Sequence, residues 1–273
     1  KARAQELSIF YDRKYDCVSA QAGYEQYEAK TAFESPHSRV IRNIGGGKRV
    51  LDLGSAGGYV SEKLGAQGCH LTAVDQFPIA ADAGIDETIQ FNLNDGLPPI
   101  ELEEYDYVLM LDVIEHLLSP EDFVAHLKGA AKFADDITII VSTGNVGFFV
   151  ARLMLLFGQF NYGKRGILDI THTRLFTFGT LRRLFEQAGF DVEEMSGLPA
   201  PFPLAFGDNW IVRALLRLNL GLIRLWKSAF AYQIYMVARP RPSLELLLKR
   251  ANEQSRQRAQ FSESAAAPSA KTV

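Results

Sequence analysis

The chain has 273 residues, enough for one large domain or one domain with insertions, and its 47% hydrophobic content suits a globular protein with a sizeable core. A net charge of −3, from 29 basic and 32 acidic residues, gives no global field that would hold nucleic acid. Two cysteines, Cys17 and Cys69, suggest no disulfide framework and no zinc site, and a reducing compartment is the simple reading. The N-terminus, Lys1-Ala2-Arg3, has neither an initiator Met nor the apolar run of a signal peptide, so the chain reads as a processed or excised piece. No stretch of 18 uncharged apolar residues exists, so no membrane-spanning helix is expected.

Residues 1–48 read as helices ahead of the core, with Tyr24, Tyr27 and Phe33 near Pro36-His37-Ser38, and Gly45-Gly46-Gly47 ends them. Val50-Leu51-Asp52-Leu53 is a short apolar run, the pattern of a buried strand. Gly54-Ser55-Ala56-Gly57-Gly58 follows at once, and Tyr59 to Leu64 then has helical spacing. Strand, glycine turn and helix is the layout that sets backbone N–H groups and a helix N-terminus beside a ligand. Leu71-Thr72-Ala73-Val74-Asp75 is a second run ending in a carboxylate. It falls about 20 residues after the glycines, where an acid can accept from ribose hydroxyls. The plainer reading is an Asp that caps the next helix.

A third short run precedes Phe91-Asn92-Leu93-Asn94-Asp95. Residues 105–111 form the fourth predicted strand and lead into Asp112-Val113-Ile114-Glu115-His116-Leu117. Pro120-Glu121-Asp122 opens a helix through Lys132, with acids in its first turn as the helix dipole prefers. Residues 137–141 are the fifth strand, ending at Ser142-Thr143-Gly144-Asn145. A helix from Leu181 to Ala188 is closed by Gly189; strands follow over 190–195 and 230–238, the last stopped by Pro240 and Pro242.

Two insertions stand out, 146–176 and 197–228. In the second, Arg213, Arg217 and Arg224, with Gly221, share one helical stripe, and Leu, Ile, Val and Trp fill the rest. Phe148 to Phe157 is similarly apolar, with Arg152 its single charge. The plain reading is that both helices bury wide apolar faces on the domain or on a second subunit. The alternative is a basic amphipathic surface, centred on 210–227, that lies on a membrane or grips a lipid-linked substrate. From about Asn252 the composition turns to Gln, Arg, Ser and Ala, and residues 262–273 are expected to be disordered.

Asp52 to Gly58, then Asp75, then Asp112-Val113-Ile114-Glu115-His116, resembles a class I S-adenosylmethionine-dependent methyltransferase over about residues 20–240. The resemblance implies an α/β, Rossmann-like, seven-stranded and mostly parallel sheet, with helices on both faces, an antiparallel last strand and helical insertions over the substrate side. It implies an N-terminal helical lid over 1–48, a methyltransferase domain over 49–245, and a helical end and disordered tail over 246–273. It implies S-adenosylmethionine as cofactor, with Gly54, Ser55 and Gly57 by its methionine part, Asp75 on the ribose, Asn92 and Leu93 at the adenine, and Asp112 and Val113 closing the site. Asp52, Ala56 and Gln76 complete that set. Ala56 stands where many relatives have a glycine, and Asn92 where they have an Asp. An amide can still accept from the adenine amino group and donate to a ring nitrogen.

Methyl transfer is an in-line displacement that needs the acceptor placed behind the methyl and often a proton removed. Asp112, Glu115 and His116 have i, i+3, i+4 spacing, which would put them on one face of a helix starting at the fourth strand. His116 is the candidate base, since a neutral imidazole suits a sugar or phenol hydroxyl; the plainer reading is a structural His capping a loop carbonyl. His172 is the second catalytic candidate. In the ubiquinone-pathway O-methyltransferases and the small-RNA 2′-O-methyltransferases, an acid-x-x-Glu-His element and a distant His hold a divalent metal. Asp112, Glu115, His116 and His172 match that set by type, and Mg²⁺, Mn²⁺ or Zn²⁺ would suit them. Asp112 is shorter in reach than the usual Glu, and many relatives without metal keep the Glu-His pair.

The stretches 166–177 and 231–242 resemble methyltransferases found with, or fused to, bacterial glycosyltransferases. That resemblance implies a hydroxyl acceptor on a glycan, glycolipid or lipid-linked sugar. It also implies a glycosyltransferase partner and a place in the cytoplasm or at the inner face of the membrane. The alternatives are a small-molecule O-methyltransferase acting on a quinone precursor or other secondary metabolite, and a non-catalytic cofactor-binding module docked to a glycosyltransferase. No basic patch with interleaved aromatics appears, so no nucleic-acid partner is expected.

Overall fold

The computed structural model describes residues 33–79, 84–134, 136–207 and 209–266. Tyr24 and Tyr27, most of the expected lid and the tail from 267 onward lie outside the described residues. Helix α1 (Pro36–Asn43) begins where the Ser35 and Ser38 side chains each accept from the other's backbone N–H, a capping box with Pro36 in the first turn. Then come β1 (Arg49–Leu53), α2 (Tyr59–Gly65), β2 (His70–Asp75), β3 (Glu87–Gln90) and β4 (Tyr107–Leu111). They are followed by α3 (Pro120–Ala130), β5 (Thr138–Gly144), α4 (Phe149–Leu156), α5 (Phe178–Gln187) and β6 (Phe190–Leu198). The chain ends in α6 (Phe202–Phe206), α7 (Trp210–Phe230), β7 (Gln233–Pro240) and α8 (Leu244–Ala266).

The seven strands form one sheet in the order β3-β2-β1-β4-β5-β7-β6, and only β7 runs antiparallel to its neighbours. The expected fold is therefore the one found. Its register explains the apolar runs. Leu51, Val108, Ile139 and Ala238 lie in one row across four strands and belong to one core cluster. The next row holds Leu109, Ile140 and Val237, which pack in the other cluster. Successive residues face opposite sides, so both faces need apolar cover. Phe123, Val124 and Leu127 of α3 and Leu181 and Phe185 of α5 cover one face; Val40 of α1 and Val60 and Leu64 of α2 cover the other. Truncating a ring as buried as Phe185 costs about 3–5 kcal/mol in such a core.

From β1 the chain passes outward to β2 and β3, then returns to β4 on the other side of β1. The order reverses between β1 and β4, and ligands of open α/β sheets bind outside the carboxyl ends of strands at such a point.

Four expectations are corrected. No helix starts at β4: Asp112 has φ 57°, a left-handed conformation that stops right-handed winding, and the next helix opens at Pro120. The last strand starts at Gln233 rather than Phe230, because Phe230 still belongs to α7. Helix α8 continues to Ala266, into the stretch expected to be disordered, carried by Gln, Arg, Glu and Ala, which favour helix. Finally, α4 buries only Ala151, and α7 only Val212, Asn219, Ile223 and Ala229, so neither insertion helix packs a wide apolar face on the domain.

Candidate active site

A cavity of about 550 Å³ opens at the carboxyl ends of β1, β2 and β4, where the strand order reverses. One end is built from backbone. The N–H groups of Gly54 and Ser55 both donate to the Val74 carbonyl, at 2.7 and 3.1 Å, which ties the loop after β1 to β2. Gly54 has φ 73°, and a Cβ there would lie 2.5 Å from the Val113 side chain, so loop and wall approach closely only with glycine. Ala56 takes φ 50° without being glycine. Its N–H donates to Asp75 Oδ2 at 2.9 Å, and Phe77 N–H donates to Oδ1 at 3.0 Å. Burial raises the Asp75 pKa, while the N–H groups of Phe77, Ala56 and Gln76 pull it back. Asp75 thus caps the following turn and also lines the cavity. Behind it Asp52 accepts from Ser61 Oγ at 2.8 Å; burial pushes its pKa up to about 6, Ser61 opposes the rise and the Asp75 charge adds to it.

Asp52, Gly54, Ser55, Ala56, Asp75, Gln76, Asn92, Leu93, Asp112 and Val113 all line this cavity, and Gly57 does not. Asn92 has a local duty: its Oδ1 accepts from Asn94 N at 3.0 Å and from Asn94 Nδ2 at 3.1 Å, capping a short 3-10 turn. The oxygen expected to meet an amino group is therefore already engaged.

The other end is built from side chains of distant segments. Asp112 is clamped: Ser142 Oγ donates to its Oδ1 at 2.8 Å, and Gln233 Nε2 reaches both carboxylate oxygens, at 2.9 and 2.7 Å. Glu115 is buried beside it. Its Oε1 accepts a long bond from Gly144 N at 3.3 Å, and its Oε2 has no hydrogen-bond partner. Burial first, and the neighbouring Asp112 charge second, push its pKa up to about 8, so near pH 7 it is mostly a neutral acid. The Glu115 carbonyl accepts from the backbone N–H groups of Thr173 and Arg174, at 2.9 and 3.1 Å, which docks the end of the first insertion onto this turn.

His116 lines the cavity with Thr171 and Thr173. The Thr171 hydroxyl donates its one proton to Asp169 Oδ1 at 2.7 Å, so its oxygen presents lone pairs to His116 Nδ1, 3.4 Å away. That polarity favours a proton on Nδ1 and leaves Nε2 as the basic nitrogen. Burial lowers the His116 pKa, the nearby His172 ring lowers it further, and Thr171 and the Asp169 charge oppose them. His172 does not line the cavity. It stands edge-on to His116, ring centroids 4.8 Å apart, with Nδ1 2.9 Å from the Ile167 carbonyl, which can only accept.

The proposed ligand set is not assembled as such. His116 and His172 meet, but Asp112 is committed to Ser142 and Gln233, and Glu115 turns toward Gly144. Among the described residues no group of three or more His, Cys, Asp or Glu is placed to hold a metal ion. Sequence reasoning missed Thr171, Asp169 and Gln233. The Asp169-Ile170-Thr171 spacing is an Asx-turn signal that would have flagged the first two. Gln233 shows only as a polar residue opening an apolar strand.

A doubly covered sheet in this order, with a glycine-cradled crevice at its reversal point, defines the Rossmann-like class of cofactor-binding enzymes. The chain belongs to the methyltransferase-domain family, whose model matches residues 24–195. It is 27% identical over 163 residues to the ubiquinone biosynthesis O-methyltransferase of Aeromonas salmonicida, covering 56% of this chain and 66% of that one. It is 32% identical over 100 residues to the mitochondrial ubiquinone biosynthesis O-methyltransferase of Schizosaccharomyces pombe, covering 33% of this chain and 36% of that one. The chain thus spans about two thirds of the first relative and about a third of the second. Its fold is similar to that of the small RNA methyltransferase HEN1, with TM-score 0.50 and 16% identity over 76% of this chain and 25% of that one.

The residues present fit S-adenosylmethionine. Ser55 Oγ is buried without a partner at the loop, where a methionyl carboxylate or ammonium would satisfy it. The missing Cβ of Gly54 leaves room beside Val113. Asp75 keeps lone pairs for a ribose diol, and Phe91, Leu93 and Val113 offer apolar wall to a base.

Proposed function

We propose that this protein is an S-adenosylmethionine-dependent O-methyltransferase whose acceptor is a hydroxyl on a small molecule of the quinone-precursor class. The observation that supports this most is a single cavity with the Gly54–Ala56 loop and Asp75 at one end and the His116–Thr171 pair at the other. When bound, the cofactor supplies an electrophilic methyl on a sulfonium. The chain's own task is to hold the acceptor and take its proton. His116 has the right character, an imidazole kept neutral by burial, with Nδ1 turned to Thr171 and Nε2 as the base. Val113, Leu117 and Leu118 line that end beside His116, and they offer apolar wall to an acceptor ring.

The ubiquinone-pathway names of the relatives support the small-molecule acceptor over a glycan, glycolipid or lipid-linked sugar. The names of these relatives do not point to a glycosyltransferase partner. The deciding assay offers labelled S-adenosylmethionine with two panels, catechols and phenols bearing apolar substituents, and lipid-linked sugars. Label in the first panel alone is the expected result. Label in the second alone restores the glycan acceptor, and cofactor binding without transfer to either favours a non-catalytic module.

A further inference from the structure

Helix α7 carries three stripes. Val212, Asn219 and Ile223 face the domain. A second stripe, Ile211, Leu215, Leu218 and Leu225 at helical spacing, faces solvent, with exposures from 39% to 81%. A third is exposed Arg213, Arg217 and Arg224. Among the described residues Arg217 and Arg224 make no ion pair. Trp210 opens the helix 78% exposed, and the backbone leaves helical geometry at Trp226, with φ −151° and ψ 80°.

Helix α4 meets this end of α7. The rings of Phe149 and Phe230 lie 5.8 Å apart, and the Arg152 guanidinium sits over the Trp226 ring at 5.4 Å. Beyond that contact Leu155, Leu156 and Phe157 are exposed, the last two by about three quarters. The two insertion helices are therefore in contact, and each exposes aliphatic and aromatic side chains. Their charge has one sign. Helices α4 and α7 carry Arg152, Arg213, Arg217, Arg224 and Lys227 and no acid, in a chain whose net charge is −3.

We propose that α4 and α7 together form a docking face that seats the protein on a bilayer bearing anionic headgroups. Apolar side chains with Trp at the margin and Arg on the flank match the layering of acyl boundary and headgroup. Anionic lipid supplies the charge the surface lacks, whereas a second copy placed on the same patch would bring like charges together. No helix among the described residues is long and apolar enough to cross a membrane, so the face would lie on the surface. The proposal does not rest on the nature of the acceptor.

The test is flotation of the full chain with vesicles of phosphatidylcholine alone, and of phosphatidylcholine with about 30% phosphatidylglycerol, in about 0.1 M salt. The expected result is at least tenfold stronger partition onto the anionic vesicles, reversed by high salt. The double variants Leu218→Glu/Leu225→Glu and Arg217→Glu/Arg224→Glu should each lose tenfold or more. Both alter exposed positions, so an unchanged circular dichroism spectrum and unchanged cofactor affinity would show that they fold. The proposal is overturned if anionic vesicles leave the chain in solution, or if both folded variants partition as the parent does. It is equally overturned if the parent is a dimer that the leucine variant turns into a monomer without vesicle binding.

Discussion

Asp75 and Glu115 are carboxylates buried by opposite means. At the cofactor end Asp75 receives N–H groups from Ala56 and Phe77, at 2.9 and 3.0 Å, so the loop itself solvates the charge. Behind the His116 end Glu115 has one long bond and an oxygen with no partner, beside a second acid, and burial pushes its pKa up to about 8. A fixed backbone holds a charged group cheaply, because its donors are already oriented. Glu115, short of donors, has its charged form disfavoured instead, while Asp112 beside it draws donors from Ser142 and Gln233.

Substitutions at the two ends should therefore separate binding from turnover. The largest effect is expected for His116→Ala: turnover falls about 100-fold or more, while cofactor affinity by calorimetry stays within about twofold. Unchanged turnover removes His116 from the mechanism. Glu115→Gln tests the neutral acid through stability. The folded pKa lies above the unfolded one, so the folded state binds more protons between roughly pH 4.5 and 8, and parental stability falls as pH rises across that window. The variant carries no such group, so its unfolding free energy should lose less over the same range, by on the order of a few kcal/mol. Parallel denaturation curves at pH 5 and pH 8 would show that Glu115 is ionised in the fold.

Asp75→Ala should weaken cofactor binding by about 1.5–3 kcal/mol, from the loss of charged hydrogen bonds, with turnover at saturation much less affected. Thr171→Val keeps the shape beside His116 and removes the hydroxyl; turnover should fall about tenfold, with cofactor affinity unchanged. An equal loss in both quantities would mean that the two ends are not separable. The smallest change is Ala56→Gly. The left-handed residue costs roughly 1 kcal/mol, partly offset by the greater freedom of an unfolded glycine, so the melting temperature should move by only a few degrees and cofactor affinity should hold.

The Gly54–Asp75 end of the crevice was legible in the sequence because its contacts are local. Gly54 and Asp75 belong to one strand–helix–strand unit, and both line the cavity as expected. Gly57 does not line the cavity, and a Cβ there would meet the Tyr59 ring. The acceptor end was read only in part. Asp112 and His116 are there, but the i, i+3, i+4 spacing that suggested a helix face is equally compatible with the turn that Asp112 imposes by its left-handed φ. Thr171 and Gln233 lie 55 and 121 residues from the groups they touch, and no local pattern reports such pairings. The insertions misled in another way. A helix rich in Leu, Ile and Trp reads equally as buried or as an amphipathic surface, and the coordinates show that its second apolar stripe meets solvent.

The clamp on Asp112 carries a consequence for biosynthesis. Strand β7 fits between β5 and β6 although it is translated after both, and its first residue, Gln233, is what grips Asp112. The Rossmann half from β1 to β5 has emerged from the ribosome long before that residue exists, at about 5–20 residues per second. A nascent chain therefore owns the Gly54 loop some seconds before it owns the Gln233 clamp, and a chain that stops short of Gln233 has the loop without the clamp.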